Sequence, residues 1–329
     1  MRISLAALAD DNLLEMAFTW LCQQRKKWPA VADVWDLRAR WPEAKAQLQA
    51  ELRAEQFRFG VLSRITLPTG EEVDLWSARD ALVLKAVALV LGARLPLSRR
   101  CVHVKGHGGA KAAVRQVLAQ LPQHRFVLKT DVKSYYASID HVLLQEQLSK
   151  HIQDKGVLRL LWHYMRRCAE RGGMFYDIEC GISLGCPLSP LVGALFLQTL
   201  DKQMEQLGLF YLRYMDDIVV LAPSHWKLRK AVRVVNQTLN GLQLEKHPEK
   251  TFIGKIEQGF EFLGYHFRPG RLTIVQKTVE RFVERAIQLY EQEPGEACDS
   301  SRLGRYVQRW GRWVRAGVPR SERWAAPAT

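Results

Sequence analysis

The 329-residue chain is 47% hydrophobic, enough apolar surface to bury a core or two and too much for a disordered chain. Lys and Arg number 48 against 34 Asp and Glu, a net charge of +14, which suits a polyanionic partner because each cation near a phosphate releases condensed counterions. The N-terminal MRISLAALADD run is too short for a signal peptide, and no apolar stretch is long enough to span a membrane, so a cytoplasmic protein is expected.

In chain order, residues 1–56 read as helices, with Leu13, Leu14, Met16, Phe18, Trp20 and Leu21 crowding one segment. Residues 57–76 alternate as a hairpin would, around the turn Pro68-Thr69-Gly70. A helix follows at 78–93, then a basic Gly-rich loop, CVHVKGHGG, at 101–109. Residues 126–132 read as a buried strand, and helices are expected at 141–152, 155–171 and 188–206. A hairpin at 210–222 carries acids at its bend. Helix 226–241 comes next, then strands near 251–255 and 260–267, and the tail is helical from about 276. Pro294-Gly295 through Ser301 is the best linker candidate. The six cysteines are scattered without a CxxC pair and read as reduced thiols. Cys101, His103 and His107 lack a fourth zinc ligand, so the loop reads better as a phosphate contact, with Lys105, Lys111 and Arg115 neutralising charge and glycine N–H groups adding donors.

The strongest chemical signal is Tyr214-Met215-Asp216-Asp217 between apolar runs, with Asp131 ending an earlier strand. Adjacent acids in strand-like sequence are costly unless they face something positive. Transfer of a nucleotidyl group to a 3′-hydroxyl uses two divalent cations about 3.5–4 Å apart, and Mg²⁺ takes carboxylate oxygens. The bland alternative is a surface turn holding two solvated acids.

Set in order, these segments resemble the reverse transcriptases, most closely the group II intron-like bacterial type. Tyr214–Asp217 resembles their catalytic box, Asp131–His141 (DVKSYYASIDH) their first catalytic motif and Gly181–Pro190 (GISLGCPLSP) the second. Leu244–Thr251 resembles the next palm motif and Phe262-Leu263-Gly264-Tyr265 the primer grip. The resemblance spans roughly residues 78–267 and implies an α+β right-hand polymerase: fingers at 57–125, a palm with an antiparallel sheet and interleaved finger elements at 126–267, a helical thumb at 268–329, and a helical N-terminal extension at 1–56. It implies an RNA-directed DNA polymerase with Asp131, Asp216 and Asp217 as catalytic residues. Together with the Val132 carbonyl, these would hold two Mg²⁺.

The same resemblance implies nucleotide contacts from Tyr136 as a steric gate against a 2′-hydroxyl, from Leu184 and Gly185, and from Lys250 near the leaving pyrophosphate. The alternatives are a core aromatic for Tyr136, a solvated lysine for Lys250 and a core strand with a Gly bulge for Phe262–Tyr265. Tyr135 is expected to face away from Tyr136, and Ser189-Pro190 to open a helix with Ser as cap. The family has Gln where this chain has Leu184. Its triphosphate-binding cations have no clear match beside the acidic 70–74 segment; Arg64, Arg79 and Lys85 are the candidates. Arg302, Arg305, Arg309 and Arg312 line one helical face beside Tyr306, Trp310 and Trp313, as a thumb contacting a nucleic-acid backbone would. The expected partners are an RNA template, a nucleic-acid primer, deoxynucleotides and, for a stand-alone bacterial enzyme without maturase or endonuclease domains, a dedicated structured RNA. Phage defence is the preferred setting over retron and diversity-generating roles. A maturase-like splicing factor is the rival class.

Overall fold

A computed structural model describes residues 3–66, 72–292 and 301–317. The Pro68–Gly70 turn and the 294–300 linker segment fall outside the described residues. The helices are α1 Leu5–Leu8, α2 Asp11–Gln24, α3 Asp33–Ala39, α4 Trp41–Arg53, α5 Ala78–Gly92, α6 Gly109–Gln120, α7 His141–Ser149, α8 Lys155–Met165, α9 Ser189–Phe196, α10 Gln198–Gln206, α11 His225–Gly241, α12 Gln276–Gln292 and α13 Arg302–Gly317. The strands are β1 Leu62–Thr66, β2 Glu72–Leu75, β3 Phe126–Thr130, β4 Cys168–Arg171, β5 Met174–Asp177, β6 Phe210–Tyr214, β7 Asp217–Ala222, β8 Phe252–Lys255, β9 Phe260–Phe262, β10 Tyr265–Arg268 and β11 Arg271–Ile274. Among the described residues, no helix is long and apolar enough to cross a membrane.

Contacts divide the chain into two compact units, each assembled from three segments. One comprises Met1–Leu97, Lys133–Thr199 and Thr238–Glu245; the other comprises Ser98–Val132, Leu200–Gln237 and Lys246–Thr329.

The first unit is mainly helical. Asp10 caps α2 by accepting from the Leu13 N–H, and Leu14, Ala17 and Leu21, at helical spacing, are buried. Ser77 caps α5, which is buried nearly all round, through Ala81, Leu82, Val83, Leu84, Ala86 and Val87. Such a helix can only be central. The expected hairpin near 57–76 is present as β1 and β2, antiparallel, in a sheet ordered β2-β1-β4-β5. Strands β4 and β5 correct the helix expected over 155–171, which stops at Met165. Gly172 and Gly173, at φ 59° and 83°, turn the chain back in the two-residue, left-handed connection that suits twisted strands. The helix expected over 188–206 divides at Leu197 into α9 and α10.

The second unit holds an antiparallel sheet ordered β6-β7-β3-β8. In β7, Ile218 to Ala222 are buried on both faces, as befits an inner strand. Val127, Leu212, Val219 and Leu221 face a core shared with Ala113, Val114 and Val117 of α6 and with Phe260, Phe262, Tyr265 and Phe267 of the small β11-β10-β9 sheet. Strand β11 extends that sheet past 267, where helix alone was expected only from about 276. Helix α13 packs its aromatics inward: Trp310 stacks on Phe282 of α12 at 4.0 Å and Trp313 lies against Tyr265 at 4.7 Å.

Candidate active site

All three aspartates lie in the second unit. Strand β3 delivers Asp131, one residue past its end, and the β6–β7 turn delivers Asp216 and Asp217. The β3–β7 register ends at Thr130↔Ile218, so Asp131 directly follows the last paired residue of one strand and Asp217 directly precedes that of the other. Alternation along β3 puts Lys129 on the same face as Asp131.

The bend is a two-residue connection, Met215-Asp216, closing the Tyr214–Asp217 pair. Met215 takes φ 56°, a strained value for a residue with a side chain, and such strain persists only where the surroundings hold it. Two side chains bond its backbone. The Met215 N–H donates to His103 Nδ1 at 2.9 Å, and its carbonyl accepts from Arg213 at 2.7 Å. Arg213 is fully buried. Its Nε and NH2 groups donate to the two carboxylate oxygens of Asp201 at 2.9 and 2.6 Å, and Tyr211 also donates to Asp201. Cys101 Sγ lies 3.4 Å from His103 Nδ1, and burial pushes its thiol up to about 12, so it stays protonated and Nδ1 serves as an acceptor. Residues 100–102 pair along β6 through the Val102 N–H to the Arg213 carbonyl and the Arg213 N–H to the Arg100 carbonyl. The Gly-rich loop is therefore fastened to the strand that leads into the β6–β7 turn. The Gly109 N–H bonds the Val102 carbonyl and the His107 N–H bonds the Val104 carbonyl, so those donors are spent inside the loop. Lys105, Lys111 and Arg115 remain exposed.

Electrostatics set the site apart from a surface turn. Burial, with the charge of Asp131 added, pushes Asp216 up to about 6. Burial pushes Asp217 up to about 7, opposed by Lys129 and reinforced by Asp131. Asp217 Oδ1 is buried without a well-formed hydrogen bond among the described residues and faces Lys129 Nζ at 3.4 Å. Lys250 Nζ sits 3.3 Å from Asp131 Oδ2. Lys129 was not singled out from sequence, yet its place two residues before Asp131 in an alternating strand is a readable signal. The Asp131 carbonyl accepts from the His247 N–H at 2.7 Å. The carboxylates of Asp131, Asp216 and Asp217 are oxygen donors of the kind that hard divalent cations such as Mg²⁺ take, while among the described residues no three such groups stand close enough together to hold an ion as they are placed.

An open cleft of about 750 Å³ runs from Asp131, Asp217 and Lys250 to Phe262, Leu263 and Gly264. There Leu263 and Gly264, at φ 49° and 83°, form the two-residue turn joining β9 to β10, so Gly264 belongs to a hairpin bend and not to a bulge. Trp313 explains the glycine: a Cβ at Gly264 would lie 3.2 Å from its ring. The Tyr265 hydroxyl donates to the Trp313 carbonyl at 2.8 Å, fixing α13 to this hairpin. Arg302, Arg305, Arg309 and Arg312 lie on the exposed side of α13.

Tyr136, Leu184 and Gly185 belong to the first unit. Tyr135 and Tyr136 occupy a single 3₁₀ turn, not a strand, so their rings do not alternate. They lie 5.6 Å apart, and a Cβ at Gly193 would come within 2.9 Å of Tyr136 and 3.4 Å of Tyr135. Gly193 of α9 is thus the space that both rings use. The second motif is sewn to the first: the Ile182 N–H donates to the Tyr136 carbonyl, and the Gly181 N–H to that of Ile139. His141 and Arg167 both bond the Gly181 carbonyl. Ser189 does not cap α9; its hydroxyl is buried between the Ser183 carbonyl at 2.5 Å and the Tyr164 hydroxyl at 2.7 Å. Leu184 is 37% exposed. Gly185, at φ 88°, faces Val73 of β2. The three cations considered for the triphosphate have internal partners. Arg64 bonds Asp74, Arg79 bonds Glu51, and Lys85 lies over Trp20. Burial raises Asp74, but Arg64 and Arg167 outweigh it and hold the carboxyl below its usual range.

The chain is similar to known proteins. The profile of the family described as reverse transcriptase (RNA-dependent DNA polymerase) matches residues 90–267. Protein YkfC of Escherichia coli K12 is 24% identical over 57% of this chain and 60% of its own length. The group II intron-encoded protein LtrA of Lactococcus lactis subsp. cremoris is 22% identical over 51% of this chain and 28% of its own. The putative COX1/OXI3 intron 2 protein of Saccharomyces cerevisiae is 21% identical over 48% and 19%. Among solved structures, a chain of a partial Cas6-RT-Cas1–Cas2 complex is 17% identical with a TM-score of 0.43, covering 73% of this chain and 41% of that one. The chain spans less than two thirds of the length of these curated relatives. With the match running through both aspartate-bearing segments and the mixed helix-and-sheet architecture around them, the chain belongs to the reverse transcriptase family and has the α+β right-hand polymerase fold.

Proposed function

We propose that the protein is an RNA-directed DNA polymerase that extends a 3′-hydroxyl with deoxynucleotides on an RNA template. The observation that carries the reading is that the end of β3 and the β6–β7 turn bring Asp131 near Asp216 and Asp217, with Lys129 and Lys250 beside them and with Lys129, Asp131, Asp217 and Lys250 lining an open cleft. Two Mg²⁺ held by these carboxylates and the Val132 carbonyl would supply positive charge to the attacking and leaving oxygens.

The remaining work falls to the chain's own residues. Lys129 and Lys250 offset the carboxylate charge, and Lys250, which is half exposed, is free to turn toward a departing pyrophosphate. The Phe262–Tyr265 hairpin, at the far side of the cleft, is suited to hold a primer end, and the α13 arginines to follow a phosphate backbone. Tyr136 acts as the gate against a 2′-hydroxyl, and Gly185 lets the backbone approach the substrate closely. In this reading residues 57–125 act as fingers, 126–267 as palm and 268–329 as thumb, with 1–56 as a helical extension.

The test offers the purified chain a primed homopolymeric RNA, the matching DNA template, and an unprocessed intron RNA. Extension with deoxynucleotides on the RNA template supports the reading. Splicing assistance without extension would replace it with a maturase-like role.

A further inference from the structure

Helix α11 follows β7 and carries the sequence HWKLRKAVRVVNQTLNG, which contains no acidic residue. Trp226 in its first turn is 75% exposed, far beyond what an aromatic gains by packing. The Arg229 guanidinium lies over that ring, 5.4 Å from its centre. Lys227, Arg229, Lys230 and Arg233 are all exposed, and among the described residues none has an ion-pair partner. Arg125, also exposed, joins the same end of the sheet by donating its N–H to the Ala222 carbonyl.

This face lies apart from the cleft. His225 packs edge-on against Phe126 at 5.9 Å. Phe126 points to the side of β3 opposite Val127, Lys129 and Asp131, and stands five residues, about 17 Å, from Asp131. The start of α11 is thus behind the sheet and at its far end from the carboxylates.

We propose that the outer face of α11 is a second nucleic-acid site that takes single-stranded RNA, with Trp226 stacking on a base and Lys227, Arg229, Lys230 and Arg233 meeting phosphates. An exposed aromatic among unpaired cations matches the chemistry of a flexible strand, whose bases are free to stack and whose backbone carries the charge. The proposal rests on the polymerase reading. During copying the product DNA stays paired in the hybrid, while the template outside the hybrid is single-stranded RNA, so RNA is the strand available to this surface.

The test measures binding without nucleotides. The probes are a short blunt RNA–DNA hybrid, the same hybrid with a long unstructured RNA flank, and the same hybrid with a DNA flank. The proteins are the full chain, the Trp226→Ala variant, and a variant with Lys227→Gln, Arg229→Gln, Lys230→Gln and Arg233→Gln together. Trp226→Ala is expected to weaken the RNA-flanked hybrid about tenfold, as loss of one base–aromatic stack does, and to leave the blunt hybrid within about twofold. The fourfold variant is expected to lower the slope of log affinity against log salt by about 3, at about 0.7 per phosphate contact on a single strand. Unchanged affinity and slope on the RNA-flanked hybrid would overturn the proposal. So would an equal loss on the blunt hybrid, which would assign α11 to the main cleft, or an equal loss with the DNA flank. DNA synthesis by the unmodified chain reports separately on the polymerase reading, so the two failures are distinguishable.

Discussion

At the residue scale, the paired aspartates of the β6–β7 turn should make stability depend on pH in an unusual direction. Asp216 and Asp217 titrate at about 6 and about 7 in the folded chain, against 3.8 as the ordinary value. A carboxyl raised on folding binds more protons in the folded than in the unfolded state. Its contribution is therefore greatest below about pH 4 and is lost as pH rises through 6 and 7. In metal-free buffer, Asp217→Asn should gain stability relative to the parent between pH 5 and 8, by on the order of a few kcal/mol. Thermal melts of both proteins across that range check this. A difference that stays constant would mean that folding does not raise the titration of these two carboxyls. Added Mg²⁺ should raise the melting temperature of the parent more at pH 8 than at pH 6, because binding requires the deprotonated acids.

Tyr136 offers a second residue-scale test. Tyr136→Ala should admit ribonucleotides, lowering the preference for deoxynucleotides by roughly tenfold or more, on the order of 1.4 kcal/mol. Gly193→Ala reaches the same ring from behind, since its Cβ would come within 2.9 Å of Tyr136. It should cost about 1–3 kcal/mol of stability through overpacking and should shift the same sugar preference. If competition assays find the preference unchanged in both variants, the gate assignment fails.

At the scale of elements, the β6–β7 hairpin depends on what lies behind it. Arg213→Met would leave the buried Asp201 carboxylate without its cation, at a cost of about 3–5 kcal/mol. The double variant Arg213→Met, Asp201→Leu removes both charges and should regain much of that stability, yet it cannot restore the bond to the Met215 carbonyl. The double variant should therefore fold and polymerise slowly. Denaturant melts beside extension rates decide the matter, and full activity in the double variant would show that the turn holds itself.

Much of this scaffold was legible in sequence. The apolar runs flanking Asp216 and Asp217 mark two strands and a bend, and FVLKT before Asp131 marks the neighbouring strand. The Gly172-Gly173 turn went unread, because Cys168-Ala169-Glu170-Arg171 favours helix locally, and sheet pairing with β1 overrides that preference. The Arg213–Asp201 pair was not legible. Arg213 sits in an alternating strand as a solvated residue would, and only tertiary contact brings Asp201 of α10 against it. The role of His103 was hidden for the same reason, because a histidine in a Gly-rich loop gives no sign that its Nδ1 holds a backbone amide more than a hundred residues away.

At the scale of the whole molecule, the +14 charge implies that RNA binding is dominated by phosphate contacts. Affinity for RNA should fall steeply between low and physiological salt and vary little with sequence. A flat titration would contradict this. The central claim is narrower: Asp131, Asp216 and Asp217 together carry RNA-templated DNA synthesis. The most direct measurement is single-turnover extension of a primer on RNA by the parent chain and by Asp216→Asn, with RNA affinity measured on the same preparations. Removing one carboxylate should slow extension by about a thousandfold or more, on the order of 4 kcal/mol of transition-state stabilisation, while RNA affinity stays within a few-fold. Extension by Asp216→Asn at a rate close to the parent's would contradict the account.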